Sequence, residues 1–285
     1  MRIGFSLSPG GLLLPYHLGV LASLSYHGHI QDCTPLAGSS AGAIAVASQA
    51  SGVPSLVALD ASIRVSGKLK NNPLFVPSGG LLPALHNELQ QLLPRDAHVT
   101  LSQRDGVVAL AHREVFPQNR AVLQTKFETR RSLLDAVCDS SMFPYFLTNR
   151  PVRVVRRKGR ILPRAVVDGV FACDMTRIGC PDFQHCTDCD KDKAAPDRTI
   201  LVSVFPTEFL GLTSTPKENQ IGPALEENLV GQAIRLVRMA TQASTKTELK
   251  NLYQQGFLDA EDWVQKEDTR QRKHRLIELR TGLAG

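Results

Sequence analysis

Two units, each consisting of a strand, a turn rich in small residues and a helix, follow one another within the first 52 residues and favour an α/β fold. The apolar segment "RIGFSLS" (2–8) predicts a buried strand, and it is followed by the loop "SPGGLLL" (8–14) and the helix-spaced "YHLGVLASLSYHG" (16–28). The same plan recurs in "TPLAG" (34–38) and "AGAIAVASQAS" (41–51). Because α/β folds form sites at the carboxyl ends of their strands, both turns are candidate positions for a site.

The alternation of strands and helices continues to about residue 206 and is followed by a charged helical segment that begins near residue 222. We predict helices over "SLVALDASIRVSGKL" (55–69), "ALHNELQQLL" (84–93) and "SLLDAVCDSSM" (132–142), and strands over "GVVALAHREV" (106–115), "RAVLQTKFET" (120–129), "PVRVVRRKGRILPRAVVDG" (151–169) and "TILVSVFP" (199–206). The first two strands of this set form a hairpin, and the third segment is a second hairpin with its turn at "RKGR". The pattern predicts an α/β sandwich with a C-terminal helical appendage.

Charge and hydropathy exclude several classes of protein. No segment approaches the about 18 to 20 consecutive apolar residues of a membrane span. The chain reads directly into the first strand, so we expect no signal peptide and a cytoplasmic protein. The net charge of +6 suits an anionic partner, either nucleic acid or a membrane surface that carries acidic lipid. Basic residues are densest in "NRPVRVVRRKGR" (149–160) and "KEDTRQRKHR" (266–275), but neither segment carries interleaved aromatics that could stack bases. We therefore expect no nucleic-acid partner.

The segment "PLAGSSAGAI" (35–44) carries the strongest catalytic signal. A serine on a sharp turn between a strand and a helix needs small residues two positions away on either side, and Gly38 and Gly42 meet this need around Ser40. A helix beginning after the serine directs the N–H of Ala41 and its positive dipole end toward developing negative charge. Turns that serve only packing use the same residue types, so the pentapeptide alone leaves both interpretations open.

A nucleophilic serine also requires hydrogen-bond donors for the oxyanion that forms when it attacks a carbonyl carbon. The loop after the first strand supplies the backbone N–H groups of Gly10 and Gly11. Pro9 has no N–H to donate, so these two glycines and Ala41 are the candidate donors. A loop whose glycines only let helix and strand pack closely is the alternative interpretation.

The proton acceptor for Ser40 has two candidate forms. A Ser-Asp-His triad uses Asp168 together with His185 or His274. Asp168 acting alone is the second form. A carboxylate that is held dry beside the serine can accept its proton, because desolvation raises the pKa of the carboxyl above the ordinary value of about 3.9. Only one clear strand unit precedes Ser40, whereas α/β-hydrolases that carry the triad usually build several strands first.

Together these motifs resemble the patatin-like phospholipase family, which combines a glycine loop after the first strand, GxSxG, and a distant Asp-Gly, here Asp168 and Gly169. Further similar segments are "YHLGVLASL" (16–24), "SLLDAVCDSSMFPYF" (132–146), "LVSVFPTEF" (201–209) and, with the triacylglycerol-lipase and adiponutrin branch, "LYQQGFLDAEDWV" (252–264). The resemblance implies a three-layer α/β/α sandwich with a mostly parallel sheet. It also implies an acyl-hydrolase domain over residues 2–210 and a helical extension over 211–285.

The chemistry implied by the resemblance is a Ser-Asp dyad without histidine. Ser40 attacks the ester carbonyl, Asp168 accepts its proton and later activates water, and Gly10 and Gly11 hold the oxyanion. The implied substrates are acyl esters of glycerolipids, either triacylglycerol or phospholipid, and no metal or organic cofactor is expected. The alternative class is a catalytically weak patatin-like protein that binds lipid or partner proteins.

A lipid substrate leads us to expect peripheral association with a membrane or lipid droplet, and no activator protein can be named from the sequence. Leu12, Leu13, Leu14, Leu74 and Phe75 are candidates for an apolar rim that contacts the lipid surface. Core packing is the alternative explanation for at least half of these leucines. The basic hairpin is the candidate contact for anionic headgroups.

The six cysteines are too few for a disulfide scaffold in a chain of this length, and a cytoplasmic setting would keep them reduced. Several nevertheless lie close together in the sequence. Cys180, His185, Cys186 and Cys189 could form a structural zinc site, because thiolates and imidazole can complete a tetrahedron around zinc. Ordinary loop cysteines are the other interpretation.

Overall fold

The structure is a computed structural model of the chain, and it describes residues 2–70, 81–156, 162–186, 196–206 and 215–282. The side chains of residues 70 and 274–282 lie outside this description. The hairpin turn predicted at "RKGR" also lies outside the described residues.

The described part of the chain alternates strands and helices much as predicted. The α-helices are α1 (Leu14–Tyr26), α2 (Ala41–Ala50), α3 (Ser55–Lys70), α4 (Leu82–Leu92), α5 (Ala97–Gln103), α6 (Arg130–Ser140), α7 (Leu229–Thr241) and α8 (Lys246–Gly282). The strands are β1 (Ile3–Leu7), β2 (Leu36–Ser39), β3 (Val108–Phe116), β4 (Arg120–Gln124), β5 (Arg153–Val155), β6 (Arg164–Val167), β7 (Arg198–Val202) and β8 (Gln220–Ile221). The sequence did not predict α5, because its seven residues are too short to show a helical period and include β-branched valine and threonine.

The strands form one mixed sheet with a parallel centre. Neighbouring strands follow the order β5-β6-β3-β2-β1-β7-β8, and β4 is an additional partner of β3. β1 pairs in parallel with β2 and β7, as does β2 with β3 and β7 with β8. The antiparallel pairs are the two predicted hairpins, β3–β4 and β5–β6, and the junction β3–β6. The prediction of an α/β fold with a mostly parallel sheet is confirmed.

Helices cover both faces of this sheet. Phe5 of β1 joins the main core, which lies between the sheet and the α-helices. Its neighbour Ser6 points to the opposite face and donates a hydrogen bond of 2.6 Å to the carbonyl oxygen of Pro181. In the described part of the chain, short 3₁₀ helices between residues 169 and 185 cover that second face, where Phe183 is buried. The predicted three-layer arrangement is confirmed, with a thin third layer.

One edge of β3 carries two strands placed end to end. β2 pairs with the first part of β3, as far as Ser39 opposite Ala111, and β6 runs in the opposite direction along the second part, with Val167 opposite Arg113. β4 occupies the other edge of β3. The carboxyl ends of β2 and β6 therefore face each other, and the residues that follow these two strands meet at one point of the sheet.

The C-terminal helix α8 packs directly on α1, the helix that follows the glycine loop. A Cβ added to Gly19 of α1 would lie 2.0 Å from the carbonyl oxygen of Tyr253, and one added to Gly256 of α8 would lie 2.2 Å from that of Tyr16. The hydroxyl of Tyr16 donates a hydrogen bond of 2.6 Å to Asp259. The two backbones are therefore close enough to require glycine on both sides of the crossing.

Candidate active site

Ser40 lies on the sharp turn between β2 and α2. Its φ of 52° and ψ of −120° are values that residues other than glycine rarely adopt. A Cβ added to Gly38 would lie 2.4 Å from the backbone of Gly42, and one added to Gly42 would lie 2.6 Å from the carbonyl oxygen of Leu7. Both positions therefore require glycine, because the turn brings backbone against backbone on either side of the serine.

Asp168 directly follows β6, at the point where the ends of β2 and β6 face each other. Gly169 allows this close approach, since a Cβ there would lie 2.5 Å from the carbonyl oxygen of Ala111 and 2.8 Å from the Cβ of Ser39. Asp168 and Ser40 follow the two strand ends directly and line the same cavity. Two residues separated by more than a hundred positions in the chain are thus brought to one site by the pairing of β3 with both strands.

The environment of the Asp168 carboxyl suits it to accept a proton near neutral pH. The residue is 1% exposed, and burial raises its pKa to about 7, because the charged form loses its hydration. The N–H of Val170, 2.8 Å from Oδ1, and the nearby hydroxyl of Ser40 partly offset that rise in pKa. Oδ2 makes no full hydrogen bond with the described residues. One carboxyl oxygen therefore remains available to a reacting group.

The candidate oxyanion donors surround the same cavity. Gly10, Gly11 and Ala41 line it together with Ser40 and Asp168. In the described part of the chain, the N–H groups of Gly10 and Gly11 donate no backbone hydrogen bond. Ala41 is the first residue of α2, so its N–H has no acceptor within the helix. Gly11 has a φ of 54°, a conformation that a residue with a side chain could adopt only with strain.

A buried histidine holds the base of the glycine loop. Nε2 of His17 lies 2.8 Å from the carbonyl oxygen of Ser8, and the N–H of Ser8 donates a hydrogen bond of 2.9 Å to Val202 of β7. Burial lowers the pKa of His17 to about 4, so its ring is neutral at physiological pH and donates from Nε2. The loop is thereby fixed to both the sheet and α1.

The cavity has a volume of about 280 Å³ and mostly apolar walls. The walls come largely from α3, α4 and the segment after α6, including Val65, Leu85, Leu89, Leu92, Phe146 and Leu147. Glu88 lines the cavity as well, and its carboxylate is paired with Arg64 at 2.9 Å and with Lys68 at 3.3 Å. An apolar chain placed beside Ser40 would thus meet mainly hydrocarbon surface.

The sequence predicted the polar groups of this cavity but not its walls. Leu85, Leu89 and Leu92 recur at intervals of four and three residues, which is a helical apolar face. This apolar face predicts that α4 packs against other apolar residues. It does not indicate which strands or which cavity the helix contacts.

Histidine does not complete the site within the described part of the chain. No described histidine side chain lines the cavity that holds Ser40 and Asp168. His185 lies in a 3₁₀ helix, Phe183–His185, and the side chain of His274 lies outside the described residues. The geometry thus gives no support to the triad from His185.

The described residues give no support to the zinc interpretation. Among the described residues, no group of three or more His, Cys, Asp or Glu side chains could hold a metal ion. Cys180 is a buried free cysteine, and Cys186 is disulfide-bonded, which also corrects the expectation that the cysteines are all reduced. A disulfide sulfur is not a thiolate ligand, and Cys189 lies outside the described residues.

The prediction of an apolar rim at the glycine loop is wrong in part. Leu12, Leu13 and Leu14 are buried, and two of them line the cavity, so they do not form an exposed surface. Their apolar character serves the core and the cavity walls. Leu74 and Phe75 lie outside the described residues.

A different apolar surface lies beside the cavity, on α7. Val230, Ile234 and Val237 are 69%, 65% and 55% exposed, and their spacing of four and three residues places them on one face of the helix. Ala240 and Thr241, at the end of the same helix, line the cavity. None of the helices in the described part of the chain is both long enough and apolar enough to span a membrane.

Comparison with known families identifies a match over this region. The model of the patatin-like phospholipase family matches residues 5–176, which is more than half of the chain. The matched range contains the glycine loop, the turn at Ser40, and Asp168 with Gly169.

Two human proteins are similar in sequence. Patatin-like phospholipase domain-containing protein 5 is 29% identical over 184 residues, which are 63% of this chain and 40% of that protein. 1-Acylglycerol-3-phosphate O-acyltransferase PNPLA3 is 29% identical over 150 residues, which are 50% of this chain and 30% of that protein. The chain thus spans less than half the length of either relative.

Two solved bacterial structures are similar over most of this chain, at low scores. VipD from Legionella pneumophila has a TM-score of 0.39 at 12% identity, and the match covers 92% of this chain and 67% of the VipD chain. The ExoU–SpcU complex of Pseudomonas aeruginosa has a TM-score of 0.39 at 15% identity, and the match covers 93% of this chain and 52% of the other.

Proposed function

The chain belongs to the patatin-like phospholipase family, and we propose that it is a lipid acyl hydrolase with Ser40 as nucleophile and Asp168 as proton acceptor. The observation that carries the proposal is a buried carboxyl with a pKa raised to about 7, placed with a serine on a sharp strand-to-helix turn at one apolar cavity. A carboxylate that is half formed near pH 7 can take the serine proton without a histidine between them.

Hydrolysis by this dyad has two half-reactions. Oγ of Ser40 attacks the carbonyl carbon of the ester while its proton passes to Asp168, and the N–H groups of Gly10, Gly11 and Ala41 stabilise the oxyanion. The intermediate collapses, Asp168 returns the proton to the departing alcohol, and an acyl-serine remains. Asp168 then takes a proton from water, which attacks the acyl-serine, and release of the fatty acid restores the hydroxyl of Ser40.

The substrates that fit this site are acyl esters of glycerolipids, either triacylglycerol or phospholipid. The largely hydrocarbon walls favour a fatty acyl chain over a polar acyl group. One relative is named as an acyltransferase. An acyl-serine can pass its acyl group to an alcohol in place of water, so acyl transfer to 1-acylglycerol 3-phosphate is a second candidate activity of the same site.

Hydrolysis of a short-chain ester by purified protein, beside matched variants, tests the dyad. Ser40→Ala and Asp168→Asn should each lower turnover by about 10² or more, since each removes a group that reacts directly. Ser39→Ala is the control, because that buried hydroxyl donates to the carbonyl oxygen of Gly179, 2.7 Å away, and should keep turnover within a few-fold. Equal rates for the wild type and Ser40→Ala would contradict the dyad and favour a lipid-binding role without catalysis.

A panel of lipid classes then separates the substrates. Release of fatty acid from triacylglycerol or from phospholipid identifies the preferred ester. Addition of 1-acylglycerol 3-phosphate, with analysis of the products, distinguishes transfer from hydrolysis. Transfer that exceeds hydrolysis at millimolar acceptor would favour the second activity.

We also propose peripheral association with a membrane or lipid droplet through the exposed face of α7, since this face adjoins the cavity that takes the acyl chain. Flotation with phosphatidylcholine vesicles tests it. The double variant Ile234→Asp with Val237→Asp should lose binding because two charges would enter the lipid surface. Leu258→Asp is the control, because that side chain is exposed on α8. Equal flotation of both variants would contradict the assignment of α7.

The helical extension forms part of the proposed enzyme. We place the acyl-hydrolase domain at residues 2–210 and the extension at 211–285, yet Ala240 and Thr241 of that extension line the cavity. Removal of the extension should therefore impair hydrolysis as well as stability.

A further inference from the structure

The last residue of α6 and the segment that follows it contact both members of the proposed dyad. Oγ of Ser140, a fully buried residue, accepts a hydrogen bond of 2.9 Å from the backbone N–H of Ser40. Two residues later, the carbonyl oxygen of Met142 accepts a hydrogen bond of 2.9 Å from the backbone N–H of Asp168. One short segment thus bonds to the backbone on both sides of the gap between β2 and β6.

A buried ion cluster holds this segment in place. Asp139, which is fully buried, pairs with Arg153 of β5 and with Arg164 of β6. β6 continues directly into Asp168. The ion pairs therefore fix the end of α6 to the same hairpin that carries the proposed proton acceptor.

The backbone of Ser40 needs such a partner. Its positive φ takes it out of the strand ladder, and its N–H precedes the first turn of α2, so neither element supplies an acceptor for this group. Ser140 also lies at the point where β2 and β6 meet, because a Cβ added to Gly169 would be 3.1 Å from its Oγ. Its hydroxyl oxygen is therefore placed to hold the turn in its uncommon conformation.

We propose that Ser140 is a positioning residue, whose hydroxyl oxygen holds the Ser40 backbone so that the nucleophile faces Asp168 and the N–H of Ala41 faces the oxyanion. This role rests on the proposed hydrolase function. It acts on the chemical step and not on lipid binding, because Ser140 does not line the cavity. Loss of the acceptor should thus lower kcat and leave KM nearly unchanged.

Four variants test this role on a soluble short-chain ester. Ser140→Ala should lower kcat about 10- to 100-fold with KM within about twofold, as expected when a reacting group is displaced by a fraction of an ångström to an ångström. Ser140→Thr and Ser140→Val have nearly the same shape, and the Thr variant keeps the oxygen, so its kcat should exceed that of the Val variant about tenfold. Ser51→Ala is the control, because that buried hydroxyl bonds to Ala47 at the far end of α2 and its loss should leave kcat within twofold.

The outcomes separate this inference from the function on which it rests. If Ser40→Ala is as active as the wild type, the proposed hydrolase fails whatever Ser140 does. If Ser40→Ala is inactive but Ser140→Ala matches the wild type, the positioning role alone is overturned. Equal kcat for the Thr and Val variants, with equal thermal unfolding midpoints, would also overturn it. Because the Thr and Val variants crowd the site alike, their ratio stays informative even when both are less stable than the wild type.

Discussion

Replacement of Asp168 by Asn should stabilise the folded protein in alkaline solution while it abolishes hydrolysis. The side chain is 1% exposed, and burial raises its pKa from an ordinary 3.8 to about 7. At pH 8 the folded state therefore carries a poorly hydrated carboxylate, whereas the unfolded chain hydrates the same group fully. Asn is neutral at every pH and keeps an oxygen that can accept the hydrogen bond from the N–H of Val170.

The size and sign of the effect follow from the two pKa values. The shift is about three units, and each unit corresponds to about 1.4 kcal/mol, so the ionised carboxyl lowers the free energy of unfolding by at most about 4 kcal/mol. Because the pKa is higher in the folded state, the penalty is absent below about pH 3.8, grows as the pH rises toward 7, and is constant above that. Asp168→Asn should thus gain stability between pH 4 and pH 7.

Urea unfolding followed by circular dichroism at pH 4, 6 and 8 measures this difference. Asp174→Asn is the matched control, because the Asp174 carboxylate accepts a hydrogen bond from the backbone N–H of Thr176, which lowers its pKa. That variant should gain no stability at pH 8. A difference between the wild type and Asp168→Asn that is the same at pH 4 and pH 8 would refute a raised pKa at Asp168.

Other predictions concern catalysis and packing. The kcat/KM for a neutral ester should rise with pH and level off above about 7, because only the ionised form of Asp168 accepts a proton; a flat profile from pH 5 to 9 would contradict this. Gly19→Ala should lower the thermal unfolding midpoint strongly, since its Cβ would lie 2.0 Å from the carbonyl oxygen of Tyr253. Gly67→Ala, in α3 with open space around the position, should instead raise stability by about 0.5–1 kcal/mol, and similar effects of both substitutions would contradict the close packing of α8 on α1.

The sequence predicts the Ser40 side of the site well because that side is local. A strand, a turn of small residues and a helix are adjacent in the chain, and the need for Gly38 and Gly42 arises from the turn itself. The Asp168 side is not local. The sequence shows that a strand ends at Asp168, but only the register on β3 shows that this end faces Ser40.

Features that depend on burial were harder to predict. The sequence around Leu12 and Leu14 is compatible both with an exposed apolar rim and with the wall of a cavity. In the structure the two residues line the cavity. Ser140 carries no sequence signal for its contact with Ser40, because a serine near a helix end has many uses. The distinction comes from long-range packing, which a hydrophobic period does not encode.

The most direct test of the account is covalent labelling with a fluorophosphonate ester, which modifies activated serines, followed by peptide mass spectrometry. The account predicts one stoichiometric adduct at Ser40, formed in step with the loss of ester hydrolysis, no adduct in Ser40→Ala, and much slower labelling of Asp168→Asn. Complete inhibition with the adduct on another residue, or hydrolysis that persists after Ser40 is fully labelled, would contradict it.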